Sequence, residues 1–478
     1  MQDINGENKV PATGRSPGEK PKGAYFEDLK LQAGASSSPI VGNKPAETNE
    51  AWKGKGYKFR DQRKRYPWWV KSVDKMTTET NDAVSERPAI IPTLIYYTTG
   101  REDYLKRKEK GRARTIENIK NNVPGWQIQD LALMYASRTY LATGQNKTGT
   151  FFDGQERIAE IVSSLMVTPD ELGVPRWQGS EEKASRIVEA AGIHLGAAQV
   201  AFTAMNTHWM HSSINMDPSV EEVTVTKEGQ TLIPERYKYV VVMSVLTPQA
   251  VGRRVPSPLG GASDGVGNEG WSIIRERMKN FIKGLGYGAI KIPLFMNPLP
   301  FAVAAGLGEM GRMNRMISPL YGGALYLSAV ITDLPLALDK PIDFGLQEFC
   351  KNCKLCAEAC PGQALSMEKE PSWEPRSIYT TKGKKVYSVD LDKCQFYCHE
   401  NPNYCGTCMN TCCWTKENTL LHNIMRGMGS KLPFASGVMS KMEKVFGYGP
   451  VPKNKREDWW DMRLPVKGIN SFNARRGS

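Results

Sequence analysis

Eight cysteines fall into two runs, Cys350-x2-Cys353-x2-Cys356-x3-Cys360-Pro361 and Cys394-x10-Cys405-x2-Cys408-x3-Cys412, the ligand count of two cubane iron–sulfur clusters. Such short spacings present several thiolates to one small object without long loops. In runs of this kind three cysteines wrap one cluster and the fourth reaches across to the other. The rule assigns Cys350, Cys353, Cys356 and Cys412 to one 4Fe–4S centre, and Cys394, Cys405, Cys408 and Cys360 to the second. The chemistry expected is single-electron transfer. Cys398 and Cys413 are left over. Disulfides and zinc fit less well: disulfide scaffolds belong to short chains that lack a core, and zinc ribbons use two CxxC pairs without the CxxCxxC triplet.

Other candidate motifs are weaker. Gly265-Val266-Gly267-Asn268-Glu269-Gly270 matches the dinucleotide fingerprint letter for letter. That fingerprint needs its first glycine directly after a strand, and here a stretch containing Pro248, Pro256 and Pro258 intervenes, so a flexible loop near a ligand is expected instead. The five histidines, His194, His208, His211, His399 and His422, show no HExxH or comparable metal spacing and are expected to be structural. A basic run from Arg60 to Arg65 leads into Tyr66-Pro67-Trp68-Trp69, which suits aromatic packing or the lining of an apolar pocket better than stacking on a nucleobase.

The elements that must position these residues follow from periodicity. Residues 181–205 carry a helical stripe of Ile187, Val188, Ala191, Leu195 and Ala198 behind the N-cap Ser180, predicting one long helix whose small residues admit another backbone or a flat ligand. Residues 238–246 predict a buried strand, and residues 272–284 an amphipathic helix. Strands and helices together predict a sheet flanked by helices. Residues 1–55, rich in Gly, Ser, Pro, Lys and Asn, are expected to form an arm with no core of its own.

The 478 residues, 40% hydrophobic, can bury a sizeable core and suffice for two or three domains. No apolar run reaches the roughly 18 residues a spanning helix needs, and Met1-Gln2-Asp3-Ile4-Asn5 does not open a signal peptide, so either the chain is cytoplasmic or a leader has been removed. The net charge of +13 suits an anionic surface, a nucleic acid or an acidic electron donor without choosing among them.

Several segments together resemble the respiratory reductive dehalogenases, corrinoid and iron–sulfur enzymes that remove halide from organohalides. They are Gly306-Leu307-Gly308-Glu309-Met310-Gly311-Arg312, Thr332-Asp333-Leu334-Pro335, Phe349-Cys350, and Cys394 with its ten-residue gap, within residues 181–449. Cys413 departs from that pattern, standing where the family has proline. Epoxyqueuosine reductase, an RNA-modifying enzyme, shares part of the pattern and is the alternative, with a plain electron carrier as a third reading. The N-terminal arm, the Tyr66–Trp69 aromatics and the lack of C-terminal repeats for tRNA speak against the former, and the length of chain beyond the clusters against the latter.

The resemblance implies an α/β (α+β) architecture: an N-terminal arm and wrapping unit (1–180), a degenerate nitroreductase-like cobamide-binding domain (181–345), a ferredoxin-like two-cluster domain (346–420) and a C-terminal extension (421–478). The cobamide would bind base-off, since Gly192-Ile193-His194 fails the DxHxxG signature of a histidine ligand. It is expected between the helix starting at Glu181 and the segment from Gly306 to Arg312, with Gly306, Gly308, Gly311 and Tyr404 as contacts. The reaction implied is a two-electron, one-proton reduction of a small chlorinated hydrocarbon. The family's proton-donating tyrosine falls on Asn268, near Trp271, and its arginine near Tyr326, so Tyr326 is the candidate proton donor, with Asn268 and Arg312 beside it. Tyr66, Trp68 and Trp69 are candidates for the substrate pocket. The resemblance further implies export by a twin-arginine leader absent from this chain, a peripheral place on the outer face of the cytoplasmic membrane, a small membrane anchor protein and a low-potential electron donor; no nucleic acid is expected as a partner, and the oligomeric state is left open, with a homodimer as one alternative.

Overall fold

Tyr-Val-Val-Val-Met-Ser-Val-Leu at 239–246 is apolar at almost every position and rich in β-branched residues, the composition of a strand covered on both faces. The computed structural model describes residues 56–61, 65–81, 102–126, 168–170, 175–210, 212–227, 230–291, 297–377, 380–401, 404–416, 419–432, 435–445 and 449–464. In it this run is strand β2 (Tyr239–Leu246), flanked by β1 (Gln199–Ala204) and β4 (Leu325–Thr332), with β3 (Ala289–Lys291) on the far side of β4. Every pairing in this four-stranded sheet is antiparallel. Val240, Val241, Val242 and Met243 are wholly buried, each side chain contributing roughly 1.5–3 kcal/mol by leaving water.

Helices α1 (Glu181–Leu195) and α2 (Pro258–Gly284) cover one face of the sheet. Register puts Val200 opposite Met243 and Val245 opposite Tyr326, so Val200, Val245 and Tyr326 share a face. The helix glycines meet that face: a Cβ on Gly192 would lie 2.6 Å from Val200, and one on Gly267 2.5 Å from the Tyr326 ring.

Two expectations are corrected here. The helix starting at Glu181, capped as expected by Ser180 accepting from the Lys183 N–H, stops at Leu195 rather than running to 205. Gly196 ends it in the left-handed region at φ 118°, and Gln199–Ala204 pairs with β2 because both of its faces can be buried there. The stretch expected to loop at Gly265–Gly270 is instead the middle of α2, a 27-residue helix opened by the N-cap Ser257 and Pro258. Glycine costs helix propensity at these positions, and close approach to the sheet is what it allows in return.

The cysteines occupy a second, helical unit: α3 (Leu346–Asn352), α4 (Leu355–Glu358), α5 (Leu391–Glu400) and α6 (Thr407–Thr411), packed beneath α7 (Leu420–Lys431) and α8 (Ala435–Val445). Its core joins the cysteines to Trp69, Phe344, Phe349 and Trp414. The described part of the N-terminal segment is bound along the chain that links sheet to cysteines. Phe59 bridges Leu338, Lys71–Ser72 pairs with Ile342–Asp343, and Thr80 bridges Lys384. The arm expected over residues 1–55 lies outside the described residues. Among the described residues no helix is long and apolar enough to cross a membrane.

Candidate functional site

Gly345, in the left-handed region at φ 76°, turns the chain into α3 and so delivers Cys350 and Cys353, while α4 carries Cys356 and α6 leads to Cys412. Cys350, Cys353, Cys356 and Cys412 line one cavity together with Cys413 and Trp414. Burial pushes the Cys350 and Cys356 thiols up, and the charges that Cys353 and Cys412 would carry add to the effect. Burial pushes Cys412 up to about 12, with Cys353 among the groups that add to it. Cys360, Cys394, Cys405 and Cys408 form a second group by the same measure. Burial lifts Cys408 to about 12 and Cys405 to about 11, and Cys394 and Cys360 bear on both. Cys353 and Cys394 go the other way, lowered by contact with Cys413 and Cys398, Cys394 to about 7. At the raised cysteines a bare thiolate is disfavoured, and a cationic iron–sulfur core would supply the compensating charge. Four thiols per group is the donor set two cubanes would use; among the described residues no group of three or more His, Cys, Asp or Glu is already drawn together as metal ligands.

Arg312 is placed by this unit rather than by the sheet. Its guanidinium, 1% exposed, donates to the carbonyls of Cys350 and Cys353 at 3.1 Å each, of Ser366 at 2.8 Å and of Glu368 at 2.6 Å, and it lies 4.1 Å over the Tyr387 ring. It holds the first cysteine loop closed, which differs from the catalytic place expected for it. Arg426 serves the other end of that quartet, donating to the carbonyls of Trp414 at 3.0 Å and Lys416 at 2.6 Å while burial lowers its pKa to about 10.

Tyr326 and Asn268 are brought together. The Asn268 amide donates to the Tyr326 hydroxyl oxygen at 3.1 Å, and the Trp271 indole N–H donates to the Asn268 carbonyl at 3.0 Å. The Tyr326 hydroxyl in turn donates to the carboxylate of Asp264. Asp264 was missed in the sequence, although it lies one helical turn before Asn268. The signal was there, but helical spacing is not applied to a stretch taken for a loop. Tyr404 stands between this group and the second quartet: burial raises its phenol well above the ordinary range, and its surroundings include Asp264, Arg315, Cys405 and Cys408. The loop before β4 is tied to the second cysteine run, the Gly323 N–H donating to Thr415 Oγ1 at 2.9 Å.

The other expected contacts separate. A Cβ on Gly306 would run into the Lys340 carbonyl and one on Gly308 into the Ile317 carbonyl, so these glycines admit the protein's own backbone. Gly311 instead faces the Ile317 side chain, at 2.8 Å, and Gly192 of α1 faces Val200 and Met278. The space beside Gly192, Gly306, Gly308 and Gly311 is thus in each case occupied by the protein's own atoms. Tyr66 donates to the Gly306 carbonyl at 2.5 Å, Trp69 is buried edge-on against Phe344 and near Trp414, and Trp68 is 81% exposed. Tyr66 and Trp69 thus pack on one core while Trp68 turns to solvent. The described cations of the basic run serve structure: Arg60 and Arg65 pair with the buried carboxylate of Asp339, Arg60 at 2.9 Å and Arg65 at 3.3 Å, and Asp339 also accepts from the Phe202 N–H.

Comparison with known proteins gives a consistent picture. Residues 64–217 match the family model described as reductive dehalogenase subunit, a stretch that lies before most of the motifs singled out in the sequence. The tetrachloroethene reductive dehalogenase of Sulfurospirillum multivorans is 29% identical over 308 residues, covering 60% of this chain and 61% of that protein. The chloroethene reductive dehalogenase of Dehalococcoides mccartyi (strain VS) is 29% identical over 423 residues, covering 76% and 79%. The chain spans about three-fifths of the length of the first curated relatives it matches, 61% and 60%. A solved reductive dehalogenase, described in terms of B12-dependent dehalogenation, superposes with a TM-score of 0.59 at 19% identity, covering 85% of this chain and 53% of that one. A catabolic reductive dehalogenase in complex with 3-bromo-4-hydroxybenzoic acid gives 0.56 at 21% identity, covering 85% and 53%. These likenesses establish a shared mixed α/β fold.

Proposed function

We propose, on its likeness to the reductive dehalogenase family, that the chain is a reductive dehalogenase that removes chloride from a small chlorinated hydrocarbon, a chlorinated ethene first, by a two-electron, one-proton reduction. The observation that carries the reading is the meeting of a proton-bearing group and an electron-bearing one. The Asp264, Tyr326 and Asn268 cluster has Tyr404 in its neighbourhood, and the same Tyr404 feels Cys405 and Cys408 of the second quartet.

In this reading the quartets hold two 4Fe–4S clusters and pass electrons one at a time, two deliveries matching one replacement of C–Cl by C–H. A cobamide, proposed from the B12-dependent relative, would supply the reducing chemistry at the carbon–halogen bond when bound. The chain's own residues manage the proton. Tyr326 holds it on Oη; Asn268 donates to the same oxygen and steadies the negative charge left when the proton departs. Asp264 fixes the hydroxyl's direction and, as a carboxylate against a phenolate, makes prompt reprotonation favourable.

We read the four-stranded sheet with α1 and α2 as the degenerate nitroreductase-like, cobamide-binding domain and the cysteine unit as ferredoxin-like. We also place the protein peripherally on the outer face of the cytoplasmic membrane, as the terminal reductase of organohalide respiration, with a small anchor protein and a low-potential electron donor. The test is anaerobic protein reconstituted with iron, sulfide and cobamide and given tetrachloroethene and a low-potential reductant. Chloride release that falls away in Tyr326→Phe supports the reading, and release unaffected by that change moves the proton donor elsewhere.

A further inference from the structure

Two cysteines stand outside the quartets, and each touches one member of a different quartet. The Cys413 sulfur lies 3.6 Å from that of Cys353, 60 residues away in sequence, within hydrogen-bonding reach for two sulfurs. Cys413 is 5% exposed and lines the same cavity as Cys350, Cys353, Cys356 and Cys412. Cys398 sits one turn beyond Cys394 on α5, so the two side chains share a helix face, and their thiols are in hydrogen-bonding contact. One spare thiol per quartet, each against a ligand, is a repeated arrangement; helix spacing brings Cys398 to Cys394, whereas nothing local brings Cys413 to Cys353. Cys413 follows Cys412 in the chain yet points at Cys353.

We propose that Cys413 and Cys398 are positioning residues that donate S–H···S hydrogen bonds to the ligands Cys353 and Cys394, each setting the reduction potential of its own cluster. The proposal rests on the reading that the quartets hold clusters. The direction of the bond follows from that reading, because an iron-bound cysteine is a thiolate with no proton to give, and two thiolates at 3.6 Å would repel. Each donor then draws charge from a ligand sulfur. The reduced cluster, one electron more negative, gains more from such a bond than the oxidised one, so the potential rises. No bond to iron forms or breaks, and no proton moves with the electron.

The experiment is an anaerobic redox titration of the iron-loaded full chain followed by electron paramagnetic resonance, on the native protein and on Cys413→Ala, Cys413→Ser and Cys398→Ala. Each alanine variant should keep the native iron content and shift one signal only, its own, by a threefold or greater change in the reduction equilibrium. For a one-electron couple that is about 30 mV to more negative potential. Cys413→Ser, which keeps a donor, should stay closer to the native value. A thiol that merely fills space would leave both midpoints unmoved, and that result overturns the proposal. So does iron loss in Cys413→Ala with retention in Cys353→Ala, which would make Cys413 the ligand. Should alanine variants of both positions lose iron, the native protein decides. Exchange into D2O should shift iron–sulfur stretching bands in its resonance Raman spectrum, and unshifted bands refute the hydrogen bonds. Iron content of the native protein tests the cluster reading separately, since a chain that binds no iron fails there first.

Discussion

The hydroxyl of Tyr326 on β4 donates a hydrogen bond to the carboxylate of Asp264 on α2, across a helix–sheet contact that Gly267 makes close enough to form. Tyr326→Phe removes only that hydroxyl. Iron binding should be unchanged while turnover falls roughly 100-fold or more, the scale of a lost general acid. Asp264→Asn keeps the size and should lower kcat with little change in KM. Steady-state chloride release from both variants checks the pair, and near-native rates would reduce Tyr326 to packing.

The quartets make opposite demands on single cysteine variants. Cys353→Ser should disturb the first centre and Cys405→Ser the second, each lowering bound iron from about eight to about four per chain. Iron analysis with electron paramagnetic resonance should show a different signal lost in each case. Loss of the same signal in both would break the grouping.

Arg312 satisfies carbonyls of Cys350, Cys353, Ser366 and Glu368 at once. Arg312→Met leaves those buried acceptors without their donor, at about 1–3 kcal/mol for each one that water cannot reach. The denaturant midpoint should fall and the first cluster should be lost before the second. Arg312→Lys, a single point of charge without the planar fork, should recover only part. A native midpoint in Arg312→Met would remove the arginine from the cluster's support.

Glu309 gives a pH signature. Burial pushes its carboxyl up to about 7 from an ordinary 4.5, even though it accepts from the Thr77 hydroxyl and from the N–H of Phe344. The folded pKa is the higher one, so the unfolded chain ionises first and stability falls as pH rises from about 4.5 to about 7. The loss amounts to about 3 kcal/mol and persists above that range. Urea midpoints between pH 5 and pH 8 should show the slope in the native protein and a flatter profile in Glu309→Gln. Equal slopes would assign the effect to another group.

The cysteine quartets were legible because ligand spacing is a local property: three thiols within seven residues must face one object. The strand at 239–246 was legible for the same reason, since its composition alone demands burial. What escaped the sequence was set by distant partners. Gln199–Ala204 has no strand signature of its own and becomes one by pairing with β2. Gly265, Gly267 and Gly270 look like a loop until the sheet behind them shows why a helix would carry them. The role of Arg312 depends on carbonyls some forty to fifty-six residues further on, and Trp68 and Trp69 diverge, one to solvent and one into the cysteine core. Asp264 became visible only once its stretch was a helix and Tyr326 stood opposite.

The most direct measurement is chloride release by anaerobic protein, loaded with iron, sulfide and cobamide, from tetrachloroethene under a low-potential reductant, compared with the Tyr326→Phe and Cys405→Ser variants. The account predicts release by the native chain, a loss of roughly 100-fold in Tyr326→Phe with all iron retained, and loss in Cys405→Ser together with half the iron. No chloride from the fully loaded native chain with any chlorinated ethene, ethane or methane would contradict it.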